Sequence, residues 1–176
     1  MWPEKGQECY VDTEQSILCG QGRVSLYSIQ AESPKDIQAG VRFAQKHNLR
    51  VAIRNTGHDF GGRSVAPESL QINTHLMTDK TVHKDFKPAG SKGKTEGLAV
   101  TLGAGVQLYD MYKWLGEQDV MVVGGSSHGV GVAGGYIQGG GHSMLAAMGG
   151  MASDNALEFT LVTADVSIPP PLPHPP

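Results

Sequence analysis

The chain reads as an α+β domain, and three observations predict that class. A strand–helix–strand pattern occupies residues 23–54. A second amphipathic helix, residues 106–116, lies between two short apolar runs that read as strands. Glycine then breaks up regular structure, with 11 of the 24 glycines falling between Gly124 and Gly150. The 176 residues allow one domain, or a piece of a larger one, and a hydrophobic fraction of 39% supplies a real core.

Arg23 to Ile29 alternates apolar with polar residues and predicts a strand. Ser33 and Pro34 then open a helix, as N-cap and first helical residue. Ile37, Val41 and Ala44 share one face of it, and Lys46, His47 and Asn48 close it with positive charge at the negative end of the dipole. Arg50 to Arg54 is a second strand, parallel to the first by the connection rule. Residues 55–64 form a polar, glycine-bearing loop, and 69–77 predict a further strand. The charged stretch 84–97 reads as a loose surface excursion. Leu98 to Leu102 predicts another strand, and Leu108, Met111, Tyr112 and Leu115 give the helix over 106–116 its apolar face. Val120 to Val123 reads as a buried strand and Leu157 to Thr163 as a final one. Six of the ten prolines lie in the last eight residues, which predicts an extended tail outside the fold.

Composition narrows the function. Fourteen basic against 17 acidic residues leave a formal charge of −3, which argues against an electrostatic grip on nucleic acid or on an anionic membrane. No apolar run approaches the roughly 18 residues of a membrane span. The first ten residues carry no apolar segment of secretory type, so no signal peptide is visible.

Two segments carry chemistry. Arg54-Asn-Thr-Gly57-His58-Asp59-Phe-Gly61-Gly62-Arg63-Ser64 follows a strand directly. Glycines at 57, 61 and 62 permit positive φ and close approach, so several backbone N–H groups can converge on an anion such as a pyrophosphate. His58 sits inside that turn, where an imidazole can orient or attack a ligand. A tight turn with a structural histidine is the alternative. The second segment, Val123 to Ser143, contains Gly129-x-Gly131-x-x-Gly134. A Rossmann turn is rejected there, because the preceding strand ends too early and the required helix would run through Gly139, Gly140 and Gly141, at a cost of about 1 kcal/mol per glycine. The segment fits a loop lying flat along an extended cofactor; a flexible linker is the alternative, disfavoured by Val130, Val132, Tyr136 and Ile137.

Gly93-Lys94-Thr95 imitates a phosphate loop, but Pro88 stands where the motif needs glycine. Seven histidines show no close helical ligand spacing, so no metal site is expected. Cys9 and Cys19 could pair in an oxidising compartment or remain as two thiols.

Arg54-x-x-Gly57-His58-x-x-x-Gly62, the run GVGVAGGYIQGGGHS from Gly129 and the stretch Ala152 to Asp165 together resemble the FAD-binding domain of berberine bridge enzyme-like flavoproteins. These belong to the vanillyl-alcohol oxidase, or PCMH-type, group. The Asn-Thr-Gly-His-Asp variant is most similar to fungal members that oxidise specialised metabolites, including the FAD-linked oxidoreductases of alkaloid pathways such as the ergot type. The resemblance spans residues 25–165. It implies two small sheets flanked by helices, and FAD as the cofactor. It places His58 where the family attaches the flavin 8α-methyl carbon to a histidine nitrogen. It puts Arg54, Asn55, Thr56, Gly57 and Asp59 around the pyrophosphate, counts Gly62 and Ser64 among the cofactor-binding residues, and lays Gly125, Gly131, Gly134, Gly135, Gly141 and His142 along the rest of the cofactor. Val162 would lie on a strand near the adenine. The implied reaction removes hydride from a small-molecule substrate, with O₂ as the final acceptor and H₂O₂ released. The family often enters the secretory pathway.

Two departures qualify the resemblance. His128 stands where bicovalent members carry a cysteine, so at most one covalent bond is expected. The family also continues past Asp165 with a substrate domain and a catalytic base, and this sequence turns into the proline-rich stretch instead. The expected organisation is an N-terminal extension over 1–22, a partial PCMH-type domain over 23–166 and a tail over 167–176, truncated at its C-terminal end. No catalytic residue is expected within it. FAD binding by this chain alone is expected to be weak or absent, which leaves an inactive fragment or a non-catalytic nucleotide-binding module as the competing reading.

Overall fold

Helix α1 (Pro34–His47) forms where its cap signals stand. The Asp36 carboxylate reaches back to accept from the Ser33 backbone N–H at 2.9 Å and from the Ser33 hydroxyl at 2.8 Å. Asn48 ends the helix in the left-handed conformation. In the computed structural model, residues 12, 14–16, 20, 22–89 and 91–173 are described. Cys9, Cys19 and most of the expected N-terminal extension lie outside them.

Strands β1 (Tyr27–Gln30), β2 (Arg50–Arg54) and β3 (Ser69–Asn73) form one sheet, with β3 in the middle and parallel to both neighbours. The expected strand–helix–strand unit is therefore parallel, but its two strands do not touch. Strand β1 begins later than the alternation predicted, at Tyr27; upstream, the Ser25 hydroxyl is engaged with the Ser69 hydroxyl at 2.7 Å. The two sheet faces differ. Ile29, Ile72 and Ile53 are in register on one face, and α1 packs there through Gly40, where a Cβ would stand 3.2 Å from Ile72 Cδ1. The opposite face carries Ser28, Gln71 and Ala52. Its buried polar group, Gln71, is satisfied by Ser28 and by the Ser64 carbonyl at 2.9 Å, so the loop after β2 is fastened across the sheet.

Strands β4 (Lys80–Phe86) and β5 (Gly97–Leu102) make an antiparallel hairpin with a register shift between His83 and Phe86. This corrects the reading of 84–97 as a loose excursion at its two ends only: Lys84–Phe86 and Gly97 belong to the hairpin, and the described residues between them form its connection. The imitation phosphate loop lies in its turn, where the Thr95 hydroxyl donates to the Phe86 carbonyl at 3.2 Å.

Helix α2 (Leu108–Gly116) carries the main core. Val106, Leu108, Met111, Leu115 and Val132 are buried together, with Val100, Leu102, Val120 and Val122 packed against them. Residues 120–123 therefore contribute apolar side chains as expected, but they pair with no strand, a second correction. A short helix α3 (Ala146–Gly149) follows. The final strand is only β6 (Glu158–Phe159), and it pairs antiparallel with β7 (Leu172–Pro173). Part of the expected tail thus returns as an edge partner, a role that tolerates proline. No described helix is long and apolar enough to cross a membrane.

Candidate functional site

The turn after β2 is shaped by its own side chains. Gly57 and Gly62 adopt φ of +79° and +74°, while Gly61 does not need the left-handed region. The Arg54 guanidinium folds back over Gly57, with Nε 2.9 Å from the place a Cβ would take. Asp59 accepts from Arg63 Nε at 2.9 Å, Nη2 at 2.8 Å and the Arg63 backbone N–H at 2.7 Å. The Arg63 side-chain bonds first, and the backbone N–H groups next, hold the Asp59 carboxyl far below the usual carboxylate range. Asp59 and Arg63 thus staple the turn that presents His58, whose ring is exposed.

The glycine-rich segment is laid against this turn by backbone bonds. Residues 128–132 run antiparallel to the entry of α2: Leu108 N–H donates to Val130 O at 2.9 Å, Tyr109 N–H to His128 O at 3.1 Å, and Val132 N–H to Val106 O at 3.0 Å. The Gly131 N–H donates to the Thr56 hydroxyl at 3.0 Å, across 75 residues of sequence. A Cβ on Gly129 would stand 3.2 Å from His58 Nε2. On Gly131 it would collide with Asn55 Oδ1, and on Gly134 it would lie 2.9 Å from Asn55 Cβ. Asn55 is the keystone. Its amide nitrogen donates to the Thr74 hydroxyl at 3.1 Å and to the Ala104 carbonyl, while its Oδ1 is buried without a hydrogen-bond partner.

Residues 132–136 form a π-type turn broken at Gly134, where ψ is −141°. This refines the expectation of a flat loop: a single helical turn is present, and Gly139 to Gly141 end it. Gly140 and Gly141 take φ of +100° and +73°. Their carbonyls accept from Ser153 at 3.1 Å and Ala152 at 2.9 Å. Gly135 has open space where a Cβ would be. The Tyr112 hydroxyl donates to Gly125 O at 2.7 Å, and the Tyr136 hydroxyl to the carbonyl of exposed His142 at 3.1 Å. Burial raises the pKa of both phenols.

The structure therefore joins Asn55, Thr56 and His58 with Gly129, Gly131 and Gly134 at one place, and Gly125, Gly141 and His142 around Tyr136. Gly62 and Ser64 belong to the stapled turn and the sheet-crossing loop. Val162 departs from its expectation. It lies in irregular chain after β6, in a segment tied to α1 by Gln45 donating to Ala164 O and Gln38 to Val166 O, each at 2.7 Å. Sequence reading passed over Tyr112 and Tyr136; the signal available was an aromatic at helical spacing facing a pair of glycines. Among the described residues, no three His, Cys, Asp or Glu side chains group as a metal would need.

The residues fit a dinucleotide on two counts. Glycines stand where a side chain would force the two segments apart, and a buried amide oxygen on Asn55 is left unmatched at their junction. A family model described as "FAD binding domain" matches residues 26–168. An uncharacterized FAD-linked oxidoreductase of Arthroderma benhamiae is 53% identical over 164 residues, covering 93% of this chain and 28% of the relative. FAD-linked oxidoreductase malF of Malbranchea aurantiaca is 45% identical over 168 residues, covering 94% of this chain and 28% of that protein. Among solved structures, a VAO-type flavoprotein of Myceliophthora thermophila C1 superposes with a TM-score of 0.79 at 39% identity, over 85% of this chain and 27% of its own. The chain spans 28% of the length of the two curated relatives.

Proposed function

Because this chain belongs to the FAD binding domain family, whose cofactor is FAD, we propose that its two glycine-bearing segments hold that cofactor for an oxidoreductase acting on a small specialised metabolite, an alkaloid intermediate being the favoured class. The observation that carries this reading is the bond from Gly131 N–H to the Thr56 hydroxyl, which closes two distant motifs into one cradle beside His58. When bound, FAD supplies a hydride acceptor whose electrons pass on to O₂.

The chain's own residues do the rest. Backbone N–H groups of the turn after β2 and the Arg54 guanidinium would hold the pyrophosphate and balance its charge. The Asp59–Arg63 staple keeps that turn in one shape, so its donors need no reorganisation when the anion arrives. Gly129, Gly131 and Gly134 let the second segment lie directly against His58 and Asn55 of the first, as no side-chain-bearing residue would. His58 presents an exposed imidazole nitrogen next to Gly129, available to form a single covalent bond to the cofactor ring.

Apolar residues that a larger assembly would cover, such as Ile53 at 66% exposure and Met144 at 89%, lie open here, so this chain by itself should bind FAD weakly and turn over little substrate. Intact mass after incubation with excess FAD tests the reading. A denaturation-resistant gain of one flavin, lost in His58→Ala, is the expected result. A gain that survives His58→Ala refutes the attachment, and absence of both bound and attached flavin at saturating FAD refutes the cradle.

A further inference from the structure

We infer that Tyr136 is a positioning residue of this cradle: its ring is the spacer that sets the separation between the Gly124–Gly125 run and the Gly139–His142 run. The inference rests on the reading that these runs line FAD.

The ring touches both runs with opposite edges. Its Cε2 lies 3.1 Å from the place a Cβ on Gly125 would take, and its Cε1 lies 3.3 Å from the corresponding place on Gly141. Its hydroxyl donates to the His142 carbonyl at 3.1 Å. From the other side, α2 holds the first run through the Tyr112 hydroxyl on Gly125 O at 2.7 Å. Gly125 is therefore fastened by one tyrosine and rests against the other.

The backbone of Tyr136 ends the π-type turn, and Gly131 and Gly134 at the start of that turn lie against Asn55 and Thr56. One side chain thus gauges two walls of the cradle from a base fixed to the third. A methyl on Gly125 would be crowded by this ring and by Leu108 Cδ1, each at 3.1 Å, whereas Gly141 is held to glycine first by Ala152 Cβ at 2.6 Å and by its positive φ, with the ring a further contact at 3.3 Å. Both phenols are protonated donors at neutral pH, and burial only moves them further from ionisation. Tyr136 stands outside the cluster built on Leu108, Met111 and Leu115, so its replacement spares the main core.

Tyr136→Ala, Tyr136→Phe and Gly125→Ala in the full chain test this. Amide hydrogen exchange on the FAD-free protein is the first readout. Tyr136→Ala should speed exchange at Ala152 and Ser153, whose amides bond the Gly141 and Gly140 carbonyls. Tyr136→Phe keeps the ring and should stay near wild type. FAD titration followed by flavin fluorescence and by the visible band of bound flavin is the second readout. Tyr136→Ala should weaken affinity about tenfold and shift the band, and Tyr136→Phe should weaken affinity less than about threefold. Gly125→Ala should also lose affinity, with part of it recovered when Tyr136→Ala is added. Tyr136→Ala behaving as wild type in both readouts overturns the spacer, as does an equal loss in the Ala and Phe variants. A wild-type chain that takes up no FAD overturns the cofactor reading, whereas the exchange arm, run without cofactor, still decides the spacing role.

Discussion

In the three-stranded sheet with α1, side chains decide the shape; in residues 124–143, the main chain does. Under α1 the sheet presents Ile29 beside Ile72, a packing solution many apolar residues could approximate. The glycine-rich region is defined by what is missing. Gly131 has no room for a methyl beside Asn55, and Gly125 has little beside Tyr136 and Leu108, each at 3.1 Å. Substitution should therefore be graded by volume in the first kind of region and by position in the second.

The comparison breaks most sharply in the core between the two regions. Leu108→Ala should destabilise by about 3 kcal/mol in denaturant unfolding, because a fully buried side chain leaves a cavity beside Met111 and Val132. A value under about 1 kcal/mol would mean that α2 is not the anchor of the glycine-rich region.

Two neighbouring glycines sharpen it next. Gly131→Ala should cost about 2 kcal/mol by driving a methyl into Asn55. Gly135→Ala, four residues on and facing open space, should change stability by less than about 0.5 kcal/mol. Equal effects at the two positions would contradict the cradle geometry.

The smallest effect concerns charge. Asp59 has its carboxyl lowered by Arg63, so its stabilising contribution is present above the ordinary aspartate value of 3.8 and is lost as pH falls below it toward the depressed folded value. The urea midpoint of Asp59→Asn should thus lie below wild type at pH 7 and converge with it on acidification. A difference that persists unchanged in acid would remove the carboxylate–guanidinium staple as its cause.

What could be read from the residues alone follows the same division. The cap at Ser33 and Pro34, the end at Asn48 and the apolar face of α2 are local signals, and the structure has α1 and α2 where they point. The insertion of β3 between β1 and β2 is not local, since nothing in Arg50–Arg54 specifies its neighbour. Strand β4 was hidden because Lys80, Lys84 and Asp85 mask a weak alternation that only pairing with β5 makes regular. Residues 120–123 look like a strand because they are apolar, but Val120 and Val122 are half-buried against the α2 cluster rather than in a ladder. In the site, the glycines announced close approach of main chain, which Gly129, Gly131 and Gly134 make to His58 and Asn55. Tyr136 did not announce itself, because an aromatic wedged between glycines 11 and 5 residues away is indistinguishable in sequence from one in a core.

The antiparallel clip of residues 128–132 onto the entry of α2 has one more consequence. A helix start usually advertises vacant donors and a partial positive charge, a natural seat for phosphate. Here Val130 and His128 have already claimed the Leu108 and Tyr109 donors with their carbonyls, and Asp110 adds a carboxylate in the first turn. That seat is filled from within the polypeptide, so the entry of α2 offers none of the helix-dipole anion site on which Rossmann proteins depend.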